Sequence, residues 1–278
     1  MCLNEHIMTS MIKIETNKFD SWNSISNFID DNFAYFNNFR FRGHSDANWK
    51  LESTLTRAIN RIKSGEEKEK ILERHLSEFK KNLRGRCNLN LNEISENELY
   101  AIGQHFGLYT PFLDWTFSPY VGLFFALQGE SKSGKRCLWA IAEALEYEVN
   151  NTTKERNKII SFISPLSNEN PRLVSQQGLF LKLPINESLE EIVRTAETSK
   201  EGIQIYKLIF TDSLKNDFLA RLNNMNINNL TLFPDLTGSS LHTNYLLEIE
   251  PHLKKKRDER WVKFKKDKKV YDAKKKKI

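Results

Sequence analysis

Stretches with a hydrophobic period of two and stretches with a period near 3.6 follow one another along this chain without a repeating strand-helix-strand unit. That irregular order most narrows the folds open to it. Strand-like segments fall at 39–43, 135–142, 173–183 and 203–210, each alternating or rich in β-branched and aromatic residues. An amphipathic helix is expected over 21–30, with Trp22, Ile25, Phe28 and Ile29 on one face. Two helices, or one with a break at Ser64-Gly65, are expected over 56–83, and another over 97–106 with Gly107 just past its end. Ser118-Pro119 has the form of a helix start, and the apolar run 120–127 behind it reads as a buried helix. Further helices are expected at 213–222 and 238–250, and a long polar loop between Asn150 and Asn170. The pattern implies an α+β fold: a single mixed domain with a central sheet and surrounding helices over residues 20–252. Residues 1–19 form a lead-in and 253–278 a Lys-rich tail.

Charge divides along the same boundary. The 278 residues carry a formal +6, but 253–278 alone hold +10, which leaves the rest at −4. A hydrophobic content of 39% and an aromatic content of 11% support a packed core and exclude a disordered or fibrous chain. Cys2, Cys87 and Cys137 are odd in number and far apart, so neither a disulfide framework nor a thiolate metal cluster is expected, and no metal is assigned. No apolar run reaches the length of a membrane span and no signal-peptide core is visible, so a cytoplasmic location away from membranes is expected. Met8 and Met11 leave the initiator open, and the oligomeric state is not legible.

Several constellations invite chemistry. Gly129 to Lys135 has the spacing of a phosphate-binding loop, but Arg136 replaces the Ser or Thr that would hold magnesium. A helix also precedes the loop and a strand follows it, the reverse of what that loop needs. In Phe41-Arg42-Gly43-His44-Ser45-Asp46 a guanidinium ends a strand beside a glycine. Such an arginine can grip a phosphate while the glycine admits close backbone approach, or it can form a structural ion pair with Asp114 or Asp46. In the run from Gly103 to Thr116, His105 is a titratable acid, base or ribose ligand, or else a core residue bonded to one carbonyl. Asp114, between Leu113 and Trp115, is expected to be at least partly buried and therefore paired with Arg42 or His105. Gln176-Gln177-Gly178 interrupts an apolar strand, which marks either a site or a β-bulge.

Together these clusters resemble the FRG domain family of bacterial and phage proteins, named for the triplet found here as Phe41-Arg42-Gly43. The likeness continues through Gly103-Gln104-His105-Phe106-Gly107, Leu113-Asp114-Trp115-Thr116 leading by Ser118-Pro119 to Phe124-Phe125-Ala126, Gln177-Gly178, and Leu232-Phe233-Pro234-Asp235-Leu236. It spans about residues 20–250. Where the family usually has Thr-Arg-Leu-Leu-Asp-Trp, this chain has Thr110-Pro111-Phe112-Leu113-Asp114-Trp115, so one expected arginine is missing and Arg40 or Arg57 would have to replace it.

The motif order is also similar to that of arginine-class ADP-ribosyltransferases. On that resemblance Arg42, Gln177, Asp114 and His105 would carry catalysis, and Gly43, His44, Thr116, Ser118 and Gln104 would line the binding site for NAD or another nucleotide. The reaction would cleave the nicotinamide glycosidic bond, with Asp114 as the carboxylate that the uncharged Gln177 does not provide. The setting would be toxicity or phage defence. The alternative is a module that senses a nucleotide without turnover, or one that binds nucleic acid through the tail by Lys254, Lys255, Lys256, Arg257, Trp261, Lys265 and Lys266. Phe264 and Tyr271 would then be further stacking residues.

Overall fold

The computed structural model describes residues 10–62, 67–87, 90–91, 93–152, 159–165, 171–198 and 204–275. Cys2, Met8, Ser64, Gly65, Ile203, Lys276 and Lys277 lie outside them, as do the side chains of Met11, Tyr271, Lys274 and Lys275. Its elements begin with β1 (Ser10–Met11), β2 (Lys13–Phe19), α1 (Trp22–Phe33), β3 (Phe39–His44), α2 (Thr54–Arg61), α3 (Lys68–Asn82), α4 (Glu96–His105) and β4 (Phe112–Thr116). Next come α5 (Pro119–Ala126), β5 (Lys135–Ala142), α6 (Ala144–Thr152), β6 (Ser161–Ile163), α7 (Pro171–Ser175) and β7 (Gly178–Lys182). The chain then runs through α8 (Leu189–Thr195), β8 (Glu197–Thr198), β9 (Gln204–Thr211), α9 (Lys215–Asn224), α10 (Asn229–Leu232) and α11 (Leu236–Lys275).

Seven strands form one mixed sheet in the order β2-β9-β5-β3-β4-β7-β6, parallel only between β2 and β9. β1 and β8 make a separate two-stranded ladder. The architecture is the expected α+β arrangement of a central sheet with helices around it. One core cluster gathers Leu113, Trp115, Trp139, Leu181, Ile192 and Ile205; a second packs α1, α5 and α9 around Phe41, Leu138 and Leu208, and a small third joins Tyr100, Ala101, Phe112 and Phe180.

Local signals account for the elements that frame the site. Ser21 caps α1 in a reciprocal bond pair with Ser24, and Trp22, Ile25, Ile29 and Phe33 recur at helical spacing to make its buried stripe. Ser118 Oγ accepts from the Val121 amide at 3.3 Å, and Pro119 opens α5. α5 is apolar nearly all round because it lies directly on β3, and the contact is possible only between two glycines. A Cβ on Gly43 would meet the Gly122 carbonyl oxygen at 2.1 Å, and one on Gly122 would meet the Leu138 side chain at 2.8 Å.

Three expectations change. The apolar run 173–183 is not one strand but the end of α7, a turn and β7, because a short apolar run does not distinguish strand from helix. The polar stretch 150–170 contains the end of α6 and the strand β6, and Asn150 bonds both the amide and the carbonyl of Ile160. The last helix does not stop at 250. α11 continues to Lys275 through Pro251, and its outer part lacks an apolar stripe because it is solvated on every side.

Candidate functional site

β3 pairs with β5 along its whole length, from Phe39↔Ala142 to His44↔Cys137, and β4 pairs with β7 from Phe112↔Lys182 to Thr116↔Gly178. Between themselves β3 and β4 pair only at Phe41↔Thr116. Past that point the two central strands part, and a cleft of about 350 Å³ opens between Arg42 and Gly43 on one side and Asp114 and Trp115 on the other. Strands that part leave backbone groups without ladder partners. Arg42 takes one of them: its Nη1 donates to the Asp114 carbonyl oxygen at 2.6 Å and lies 3.6 Å from the Asp114 carboxylate, while its Nε donates to His44 Nε2 at 3.2 Å. Burial pulls the Arg42 guanidinium below its usual range, and the Asp114 charge draws it back up.

His44 is buried beside Trp49 and Trp139 and does not border the cleft. Burial, then the neighbouring Arg42 charge, push its pKa down to about 3, so it is neutral at physiological pH. Because Nε2 accepts from Arg42, the proton sits on Nδ1. His44 therefore fixes the arginine from behind.

Asp114 is not buried. Strand alternation turns Leu113 and Trp115 into the core and Asp114 outward, with 66% of its side chain exposed. Of the two expected partners, Arg42 pairs with it and His105 does not. Gln104 Nε2 donates to Asp114 Oδ1 at 2.6 Å, and the Thr110 hydroxyl donates to Gln104 Oε1, which fixes the direction of the amide. His105 borders the cleft at the end of α4. Its pKa is lowered by burial and then by the Arg172 charge, against the pull of Asp235. Thr116 borders the cleft as well, its hydroxyl donating to the Gln176 carbonyl at 2.7 Å and accepting from the Ser118 amide at 3.1 Å. Ser118 caps α5 outside the cleft; Gly43 borders the cleft, but the side on which it would carry a Cβ is filled by α5 backbone.

The opposite wall brings together Phe233, Asp235 and Gln176, which the sequence marks in separate motifs, with Arg172, which it does not mark. Arg172, on α7, donates from Nε to Asp235 Oδ2 at 2.7 Å and lies 5.3 Å from the centre of the Phe233 ring. Asp235 in turn accepts from the Thr237 and Gly238 amides at the start of α11. Gln176, one helical turn beyond Arg172, faces the cleft and donates to the Leu232 carbonyl at 3.0 Å. Gln177 is not in the wall. It is exposed in a left-handed turn at φ 47°, and its carbonyl accepts from the Phe117 amide at 3.0 Å. Read as a helix start, Pro171 would have pointed to Arg172 and Gln176 as a pair on one face.

Neither candidate for the missing arginine reaches the cleft. Arg40 is buried on Glu143 at 3.0 Å and over the Phe117 ring, and Arg57 donates to the Glu52 carbonyl. The second guanidinium at the site is Arg172. Asp46 does not pair with Arg42. It accepts from the amides of Asn48 at 2.9 Å and Ser133 at 2.7 Å, so a carboxylate already occupies an amide of the loop that resembles a phosphate binder.

Lys254, Lys255, Lys256, Arg257, Trp261, Lys265 and Lys266 stand exposed on α11 and do not border the cleft. Among the described residues no group of His, Cys, Asp and Glu is placed to hold a metal ion, and no helix is long and apolar enough to cross a membrane. No curated protein and no solved structure matches the chain. Residues 37–135 match the model of the FRG domain, and they contain β3, α4, β4 and α5, which supply the Arg42, Gln104 and Asp114 side of the cleft. The chain thus contains an FRG domain over residues 37–135, the family signature lying along the two strands whose separation forms the cleft.

Proposed function

We propose that this cleft binds a nucleotide of the NAD type and that the protein is an NAD-using effector, an ADP-ribosyltransferase or NAD glycohydrolase acting in bacterial or phage conflict. The observation that carries the reading is the presence of two guanidiniums, Arg42 and Arg172, in one cleft whose walls also carry the aromatic rings of Phe125, Phe180 and Phe233. Arginine forks match phosphate oxygens, and aromatic walls suit a base or nicotinamide ring. Each guanidinium is paired with a partly solvated carboxylate, Asp114 or Asp235, and such pairs hold weakly enough for a phosphate to displace them. A cleft of about 350 Å³ lies at the small end of small-molecule sites, so it suits one nucleoside end of a dinucleotide.

In this reading the bond between ribose C1′ and the nicotinamide nitrogen breaks and its electron pair goes to the ring. Positive charge grows on the ribose, where the Asp114 carboxylate stabilises it. Gln176, which lines the cleft while Gln177 does not, would be the amide that touches the ribose. Water or an acceptor group then attacks C1′, and neutral His105 takes its proton. The test is incubation with NAD and chromatography of free nicotinamide for the wild type, Arg42→Ala, Arg172→Ala and Asp114→Asn, with exposed Gln177→Ala as the control. Release that all three cleft variants lose and the control keeps supports the reading. No release by the wild type, with or without protein and nucleic-acid acceptors, overturns catalysis, and calorimetric NAD binding without release would favour a nucleotide sensor.

A further inference from the structure

We infer that the outer half of α11 is a binding surface for single-stranded nucleic acid, built on one face of the helix. The inner half of α11 is anchored, with Ile249 only 2% exposed. From Lys254 to Lys269 every residue is exposed, and at 1.5 Å per residue that length is roughly 24 Å, about the span of a short oligonucleotide. Large apolar side chains are costly in such a place, yet Trp261 is 58% exposed and Phe264 55%. Their rings lie nearly parallel, 13° apart with centres at 5.5 Å, and Lys265 Nζ stands 5.5 Å from the centre of the Trp261 ring. Two flat parallel rings flanked by a cation form a platform on which bases stack.

The charges are arranged to match. At about 100° per residue, Arg257, Arg260, Trp261, Phe264 and Lys268 fall within a single arc of about 100°, bordered by Lys254 and Lys265. Asp258, Glu259 and Asp267 fall outside it. Lys255 and Lys266 point away from the arc, while Lys256 lies about 40° beyond its Arg260 edge, although the sequence alone makes no distinction among these lysines. Residues 253–278 carry +10 against −4 for the remainder, so the helix complements a polyanion, whereas two such helices side by side would set like charge against like. Only unpaired bases can reach the rings, hence a single strand.

The test is fluorescence anisotropy of the full chain with labelled 20-mers of dT and U and with a 20-bp duplex. Tighter binding of the single strands is expected, with affinity falling about a hundredfold between 50 and 200 mM salt if five cations meet phosphates. Trp261→Ala and Phe264→Ala should each weaken binding about tenfold or more with the salt slope unchanged, while Arg257→Gln with Arg260→Gln and Lys268→Gln should flatten the slope. Lys255→Gln with Lys263→Gln and Lys266→Gln on the other side should do much less. An unchanged melting temperature in every variant keeps the comparison free of folding effects. The inference fails if nothing binds at 50 mM salt, if duplex binds as well and ignores the rings, or if the two sides of the helix matter equally. It fails also if sedimentation shows a dimer that loss of the rings dissolves while no oligonucleotide is bound.

Discussion

A Cβ at position 43 would lie 2.1 Å from the Gly122 carbonyl oxygen and 2.2 Å from the Ala126 amide nitrogen, both backbone atoms of α5. Neither can swing aside. Gly43→Ala should therefore cost about 3 kcal/mol through forced separation of helix and strand, read as a lowered urea midpoint, and an unchanged midpoint would show that the contact is not close. The glycine of the family triplet was legible from sequence but its reason was not, because the partner backbone lies some eighty residues downstream. His44 is a similar case: the sequence places it beside Arg42, and only burial against Trp139 makes it a neutral acceptor. Its folded pKa of about 3 lies below the ordinary 6.5 because of burial and the charges of Arg42, Lys207 and Arg57. Between those values the unfolded chain binds the proton and the folded one does not. Stability is thus complete above pH 6.5 and is lost as the pH falls toward 3, with a slope approaching about 1.4 kcal/mol per pH unit. Denaturation midpoints followed from pH 7 to 5 should show that decline, and His44→Gln should remove most of it.

Among the elements, the junction of α5, β5 and β9 rests on one residue. The Arg136 side chain is 1% exposed and donates to the carbonyls of Ala126 at 2.8 Å, Gln128 at 3.1 Å and Gly129 at 2.9 Å, while its Nε meets the Asp212 carboxylate. It satisfies the last carbonyls of α5 and ties them to the end of β9. A lysine has no fork to serve these acceptors together, so Arg136→Lys should cost about 2 kcal/mol and Arg136→Met about 3–5 kcal/mol in chemical denaturation. Equal stability of the wild type and the lysine variant would show that the charge alone matters. In the sequence Arg136 was only the residue that spoils a phosphate-loop match; its role depends on a helix end and a strand end that meet in space. The Gln176-Gln177 pair was legible as an interruption, but the left-handed turn at Gln177 decides which amide faces the cleft, and a one-residue shift there moves the side chain to the other side. Signals confined to one element survived better. Ser118-Pro119 and the strand at 135–142 fall where the periodicity puts them, because caps and alternation are local.

For the molecule as a whole, charge and chemistry are divided. The cleft lies in the part that carries −4, while the +10 lies on a helix that is exposed from Lys254 to Lys269. The division of charge was legible by counting, but the form of the basic segment was not, since lysines in every direction read alike for a solvated helix and a structureless tail. Removing residues 254–278 takes away the whole +10 and, among the described contacts, one surface pair between Arg257 and Glu250 and one between Lys256 and Glu259. Surface pairs of this kind contribute little. The shortened chain should melt within about 2 °C of the full one, a margin that corresponds to about 1 kcal/mol for a chain of this size. It should pass from cation to anion exchangers at pH 7, lose oligonucleotide retention, and keep its affinity for whatever nucleotide the cleft accepts. Differential scanning calorimetry, ion-exchange elution and titration calorimetry on the same preparation separate these outcomes. A large drop in melting temperature would make the outer helix part of the folded body, and a loss of nucleotide affinity would couple it to the cleft. A hydrogen-bonded route for such coupling is visible, because Asp235 holds Arg172 with one oxygen and the first amides of α11 with the other. A shortened helix leaves that end intact, so the two functions should separate cleanly at residue 253.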